Sequence, residues 1–324
     1  AFSPDSRFVI TSALPRDPEL RDLTTGEVLL TLDNKKKKVE RVAFSPDSRY
    51  VIIYNSLGNY IRGGSEVTIW EVSTGECVQT YWCPWNTGNF FALTPGGRFA
   101  IAVDRADGNP KLWSLPLIDG NYTFTGEKMS IDASTLQPTI AGEPKALLDL
   151  NIEYPCAPVD ESLRTFQGHT EGINGLTFSS DGRYLYSCSE DCAAKKWDVS
   201  DGNCLETFSG HSSPVLCVDV SSDDQKLMLG YGDRSIVIRD LSTGTEKSYL
   251  QTYPRAPFRS AFYPKDESLA IQIGYPIYNI ELFDLSSGEV KTTLYGSGNY
   301  SSFSDFTCSA DGSRILSCGG GRKL

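Results

Sequence analysis

Histidine is almost absent from this chain: His169 and His211 are the only two in 324 residues. A transition-metal centre built on imidazoles needs more than that, so no metal is expected. No run of about 18 apolar residues occurs, so no membrane-spanning helix is expected. Nine cysteines are present, but no two are spaced as a Cys-x-x-Cys pair. Reduced structural thiols in a cytoplasmic protein are therefore expected, rather than a zinc ribbon or a redox dithiol. A Gly-x-x-x-x-Gly-Lys-[Ser/Thr] phosphate loop is missing too, so no nucleotide cofactor is expected. Positive charge is in short supply, with a formal net charge of −11. Such a surface repels phosphate backbones and argues against general nucleic-acid binding. The run Lys35-Lys36-Lys37-Lys38 is the exception and reads as a solvated loop. The first residue is Ala1, with no Met before it, and the chain reads as a fragment of something longer.

What is abundant is repetition. A strand ends, a Ser-Pro-Asp or Ser-x-Asp turn follows, and a second apolar strand begins. The pattern reads Phe2-Ser3-Pro4-Asp5-Ser6-Arg7, Phe44-Ser45-Pro46-Asp47-Ser48-Arg49, Leu93-Thr94-Pro95-Gly96-Gly97-Arg98 and Phe178-Ser179-Ser180-Asp181-Gly182-Arg183. Val220, Phe262 and Cys308 head three further copies. The steps between heads are 42, 49, 85, 42, 42 and 46 residues. A period near 42 with four short strands per copy is the signature of a repeat architecture.

One unit is legible throughout. Gly168-His169 opens it, and strands are expected at 173–178, 183–188, 194–199 and 204–208. Trp197-Asp198 closes the third strand, and Gly210-His211 begins the next unit. A second turn recurs as Thr24-Thr25-Gly26-Glu27, Ser73-Thr74-Gly75-Glu76, Ser242-Thr243-Gly244 and Ser286-Ser287-Gly288-Glu289. In these features the chain resembles the WD-repeat family. The resemblance implies an all-β, seven-bladed WD-repeat β-propeller. Arg21, Arg239 and Phe283 stand at the Trp position of other units. The two terminal blades read as incomplete. The long step of 85 residues hides either a degenerate blade or an insertion, and an insertion over 117–160 in the third repeat is favoured.

The resemblance implies a buried polar tetrad, His169, Ser187, Asp191 and Trp197. Histidine would bond the carboxylate and the hydroxyl, and the hydroxyl would take the indole N–H. A nucleophile–base reading of the same Ser, His and Asp competes, but it would leave the hydroxyl tied to the indole with no oxyanion site. No catalytic residue is assigned.

Partner-binding candidates lie on the face that carries the loops from outer strand to next inner strand. Tyr81, Trp82, Cys83, Pro84 and Trp85 replace a Gly-His corner there, and aromatics in an exposed loop are frequent interface anchors. Packing of those indoles into space left by a missing tetrad is the competing reading. Asn59, Tyr60, Arg62, Arg105, Asp107 and Glu190 are nearby candidates. Tyr253, Arg255 and Phe258 form a second aromatic–basic loop, which also reads as ordinary solvated chain.

The function expected is a non-enzymatic interaction module that binds protein partners or other domains of its own parent chain. The style of its repeats is similar to WD-repeat regions attached to NACHT or NB-ARC nucleotide-switch ATPases, which implies a ligand-sensing, autoinhibitory propeller. The alternative is a scaffold subunit of a larger complex, of ciliary, trafficking or ubiquitin-ligase type. A propeller enzyme is the least favoured class.

Overall fold

A computed structural model describes residues 1–12, 16–35, 37–45, 47–56, 65–83, 91–93, 99–103, 108–114, 164–250, 259–274, 279–295, 303–309 and 311–319. These form antiparallel sheets in chain order. The first contains β1 (Phe8–Thr11), β2 (Glu19–Asp22) and β3 (Val28–Thr31). The second contains β4 (Lys38–Phe44), β5 (Tyr50–Ser56), β6 (Ser65–Glu71) and β7 (Cys77–Cys83). The third contains β8 (Phe91–Leu93), β9 (Phe99–Val103), β10 (Pro110–Ser114) and β11 (Arg164–Thr165). The fourth contains β12 (Ile173–Phe178), β13 (Tyr184–Ser189), β14 (Ala194–Asp198) and β15 (Cys204–Phe208). The fifth contains β16 (Val215–Val220), β17 (Lys226–Tyr231), β18 (Ser235–Asp240) and β19 (Glu246–Leu250). The sixth contains β20 (Arg259–Phe262), β21 (Leu269–Gly274), β22 (Asn279–Asp284) and β23 (Val290–Leu294). β24 (Phe303–Cys308) and β25 (Ile315–Gly319) make the last, two-stranded sheet.

The architecture is an all-β propeller arrangement with five complete four-stranded blades among the described residues. Two further sheets, of three and two described strands, stand at the places of the terminal units expected to be incomplete. In the first unit the inner strand is reduced to one bridge, Phe2 to Val9, and the last unit has two described strands. β11 pairs with β10, so the third sheet takes its outer strand from across the long 85-residue step. Residues 117–160 lie outside the described residues.

The core lies between sheets rather than within one. Strand residues alternate between the two faces. Along β13, Leu185 joins Ile101, Leu112, Phe166 and Trp197 on the side of the third sheet. Its neighbours Tyr186 and Cys188 join Val215, Leu227, Leu229 and Val237 on the side of the fifth. Ile10 and Leu20 pack with Phe44, Val51 and Trp70 across the first seam. Ile271, Ile273 and Ile280 pack with Phe306 across the sixth. Arg314, at the start of β25, donates to the Leu23 carbonyl and joins the last sheet to the first.

The Ser-x-Asp turn is a polar clasp, built the same way in five units. Ser3, Ser45, Ser179, Ser221 and Ser309 donate to Asp5, Asp47, Asp181, Asp223 and Asp311 at 2.6, 2.6, 2.7, 2.6 and 2.6 Å. The same hydroxyls accept the backbone N–H of Phe8, Tyr50, Tyr184, Lys226 and Arg314 at 2.8–3.0 Å. The carboxylates accept the N–H two residues on, as in an Asx-turn. The clasp thus satisfies the buried backbone donor that opens the second strand.

A second polar turn joins third and outer strands. Asp22, Asp198, Asp240 and Asp284 accept from the N–H groups of Thr24, Ser200, Ser242 and Ser286 at 2.7–2.9 Å. The bond from the Ser242 hydroxyl, with these amides, brings the Asp240 carboxyl down to about 2. Gly26, Gly75, Gly202, Gly244 and Gly288 close these turns with φ between 72° and 80°, a region that favours glycine. The Asp of the Trp-Asp pair is therefore a turn cap.

Removing one clasp hydroxyl should be costly because Ser179 is 1% exposed and serves three bonds. Ser179→Ala is expected to lower unfolding free energy by about 1–3 kcal/mol, the range for an orphaned buried donor. Urea denaturation would check this, and a change within about 0.5 kcal/mol, the scatter of a neutral surface substitution, would contradict it.

Candidate interaction surfaces and the buried tetrad

In the fourth sheet His169 Nδ1 lies 2.8 Å from Asp191 Oδ2, and His169 Nε2 lies 2.7 Å from Ser187 Oγ. Trp197 Nε1 donates to the same hydroxyl at 2.8 Å. Burial pushes the His169 pKa down, against the opposing pull of the Asp191 carboxylate. The imidazole is therefore neutral, donating through Nδ1 and accepting the Ser187 proton at Nε2. Burial pushes the Asp191 carboxyl up, but bonds from His169, Thr170 N–H and Ala193 N–H outweigh it and hold the carboxyl low.

This arrangement has the atoms of a Ser-His-Asp triad but not its access. Ser187 and Trp197 are both 0% exposed, and the hydroxyl is held between imidazole and indole. A nucleophile must meet its substrate, and this one is sealed in the core.

Strand register shows what replaces the tetrad elsewhere. Leu185 faces Trp197, and Ser187 faces Lys195. In the second sheet the corresponding pairs are Val51 with Trp70 and Ile53 with Thr68. Isoleucine thus stands where Ser187 would, and the Trp70 indole turns to Thr68 Oγ1 at 2.9 Å. Buried Asn34 and Asn55 exchange amide bonds of 2.8 and 3.0 Å beside it. Lys37 reaches Glu66, itself 1% exposed, at 2.5 Å. Lys37 thus leaves the solvated loop expected for the lysine run.

In the fifth sheet Arg239 takes the Trp position opposite Leu227. It bonds Glu246 at 2.8 Å and Glu206 of the fourth sheet at 3.1 Å. His211 stacks on Tyr231, with centroids 4.1 Å apart. Phe283 takes the position in the sixth sheet, where Gln272 donates to Glu281 at 3.1 Å. Arg21 takes it in the first, paired with Glu19. Sequence reasoning found the Arg and Phe replacements but missed Asn34, Asn55, Glu66 and Gln272. Asn55, Glu66 and Gln272 stand as polar residues within strands, but no local pattern names their partners.

The partner-binding candidates fare unevenly. Tyr81, Trp82 and Cys83 belong to β7, where they pair with Val67, Glu66 and Ser65 of β6. They extend a ladder rather than forming a loop, a correction that fits the strand preference of aromatic side chains. Glu190 is exposed just after β13 and accepts from Asn174 Nδ2 at 2.8 Å. Asn59, Tyr60, Arg62, Pro84, Trp85, Arg105, Asp107, Tyr253, Arg255 and Phe258 lie outside the described residues. Among those described, no group of three or more His, Cys, Asp or Glu side chains could hold a metal ion. No described helix is long and apolar enough to cross a membrane. Cys77, Cys188, Cys192, Cys204, Cys217 and Cys308 are free thiols.

Asp219 on β16 accepts the Phe262 N–H at 2.8 Å, tying the fifth sheet to the sixth. Burial pushes its carboxyl up to about 6.

Residues 160–198 and 202–240 match the WD domain, G-beta repeat family. The chain is similar to eukaryotic translation initiation factor 3 subunit I of Drosophila ananassae, 37% identical over 135 residues. That stretch is 40% of this chain and 42% of the relative. The same subunit of Drosophila melanogaster is 37% identical over 86 residues, 26% of each chain. The Danio rerio subunit is 34% identical over 86 residues, again 26% of each. The chain thus covers less than half the length of these curated relatives. They favour the scaffold-subunit expectation over the nucleotide-switch sensor, which no relative here supports.

Two titrations follow. The depressed His169 pKa means that the unfolded chain binds the extra proton more readily. Stability should therefore hold above the unfolded value near 6.5 and fall as pH drops below it. His169→Gln should lose that histidine component in denaturation profiles between pH 7.5 and 5; an unchanged slope would contradict it. Asp219 runs the other way, because its raised pKa removes stability as pH rises from about 4 to about 6. Asp219→Asn, which keeps an acceptor for Phe262, should raise stability at pH 8 by on the order of 1 kcal/mol. A loss of stability there would show that the charge itself is needed.

Proposed function

We propose that the chain is a non-enzymatic scaffold subunit that holds protein partners within a larger assembly. The observation that carries this reading is the burial of the Ser187–His169–Asp191 constellation, joined by bonds that lock a blade. The polar chemistry of the propeller is spent on closing seams, which leaves rims and loops for binding. The relatives are by name subunits of a translation initiation factor, and a multi-subunit translation complex is the assembly we infer. Free buried thiols at Cys188 and Cys217 support a cytoplasmic setting.

The finer architecture belongs to this reading. The three-stranded first sheet and two-stranded last sheet are two further blades, making seven in the ring. Residues 117–160 are an insertion between the third and outer strands of the third blade. With the 81–85 segment and Glu190, they supply contacts to neighbouring subunits.

Affinity capture of the tagged chain from native extract, followed by size-exclusion chromatography, tests the reading. The expected outcome is co-elution with a fixed set of proteins in stoichiometric amount. A Trp82→Ala/Trp85→Ala variant with intact fold should lose at least one of them. Elution of the chain alone at its own 35.6 kDa would overturn the proposal.

A further inference from the structure

Adjacent sheets meet at outer seams, and in the fourth, fifth and sixth sheets those seams are closed by cations. Arg164 of β11 donates to the Ser200 carbonyl of the next sheet at 3.0 Å. Lys247 of β19 donates to the Leu285 and Ser286 carbonyls at 3.1 and 2.7 Å. Arg239 spans the seam between fourth and fifth sheets to reach Glu206. Each cation lies against the turn that joins the neighbour's third and outer strands, or against the facing outer strand.

The seam between first and second sheets breaks this rule. Its outer strand β3 reads Val28-Leu29-Leu30-Thr31 and has no cation to give. Leu29 and Leu30 stand instead against Val72 and Ser73, the counterparts of Leu285 and Ser286. The register skips Leu29, a β-bulge that turns it outward, and it is 45% exposed. The result is a groove of about 550 Å³ floored by Phe8, Leu20, Leu29 and Leu30. Three carboxylates, Asp5, Asp47 and Glu71, line it along with two guanidiniums, Arg7 and Arg49. The guanidiniums lie over the rings of their own neighbours, Phe8 at 5.1 Å and Tyr50 at 5.4 Å.

We propose that this groove binds a basic–apolar segment of a partner protein, whose Lys or Arg takes the place that Lys247 fills between the fifth and sixth sheets. The proposal rests on the interaction-module reading and names one of its surfaces. Three things select the occupant. Val72 and Ser73 line the groove at the positions where Leu285 and Ser286 offer their carbonyls to a cation. Leu29 and Leu30 offer apolar surface for the methylene stem of such a side chain and for a flanking apolar residue. The lining carries one more negative than positive charge, in a chain of net charge −11. An acidic segment would meet three carboxylates and is disfavoured.

The test uses the 324-residue chain and three fluorescein-labelled peptides, Gly-Leu-Arg-Leu-Arg-Leu-Gly, Gly-Leu-Glu-Leu-Glu-Leu-Gly and Gly-Ser-Arg-Ser-Arg-Ser-Gly, in fluorescence anisotropy. The Leu-Arg peptide should bind about tenfold tighter than either control. Leu29→Lys gives β3 the cation it lacks and should abolish that difference. Glu71→Gln, a change at a half-buried position that keeps the side chain's size, should weaken binding several-fold and serves if Leu29→Lys fails to fold. Equal binding of all three peptides, or Leu-Arg binding untouched by both substitutions, would overturn the proposal. Such a failure, with partners still captured from extract, would remove this groove and leave the scaffold reading standing.

Discussion

A four-stranded sheet of these sequences has two apolar faces and nothing within its own unit to cover them. That single constraint organises the molecule. Leu185 and Tyr186 are adjacent on β13 yet belong to different cores, one shared with the third sheet and one with the fifth. The fourth, fifth and sixth blades each contribute to two such inter-sheet clusters, so their stability is a property of their seams. The polar clasps follow from this arrangement. A strand buried on both sides cannot leave a backbone group unpaired at its start, and the Ser-x-Asp turn supplies the missing acceptor in five units.

The tetrad solves the same problem at the other end of the blade, and the chain solves it there in several ways. Around Trp197 a Ser, a His and an Asp form one chain of bonds. Around Trp70 the hydroxyl moves to Thr68 and a pair of asparagines closes the strand ends. Where Phe283 stands, no indole N–H remains to satisfy, and Gln272 and Glu281 pair with each other instead. Where Arg21 and Arg239 stand, the side chain turns toward carboxylates. What recurs through these exchanges is pairing among buried polar groups, though in the sixth sheet Ser260 Oγ is left without a hydrogen-bond partner among the described residues.

This explains what could be read in advance. The period, the turns, the strands of the fourth unit and the Trp-position residues were legible because each depends on local sequence. Asp198 caps its turn within four residues, and Gly202 takes positive φ in the same turn. Asn34–Asn55 and Lys37–Glu66 join positions 21 and 29 residues apart, where local pattern carries no signal. Residues 81–83 differ from the expected loop for another reason. A missing Gly-His corner looked like a loop, whereas the ladder of β6 and β7 runs on through Tyr81, Trp82 and Cys83 because their partners Val67, Glu66 and Ser65 still offer backbone to pair. Turn motifs count units begun, seven here, while five of those units pair four strands among the described residues.

The outer rim shows how the ring limits its own stickiness. Outer strands are edges, and unpaired edges invite other strands. In four sheets the ladder skips one residue of the outer strand: Leu29, Val78, Leu205 and Lys291. A bulge at that point twists the edge away from flat pairing and turns the skipped side chain outward. Three of the four are apolar, with exposures of 45%, 36% and 52%. The device that blocks strand addition therefore creates small apolar points on the rim. Whether such a point is inert depends on its seam. Lys291 sits beside Asp284 and is neutralised within its own blade. Leu205 is followed by Glu206, which Arg239 of the next blade engages, so that seam is held shut by charge. Leu29 has no such neighbour on β3, so the bulge and the missing cation coincide at the seam between the first and second sheets, where they border a groove.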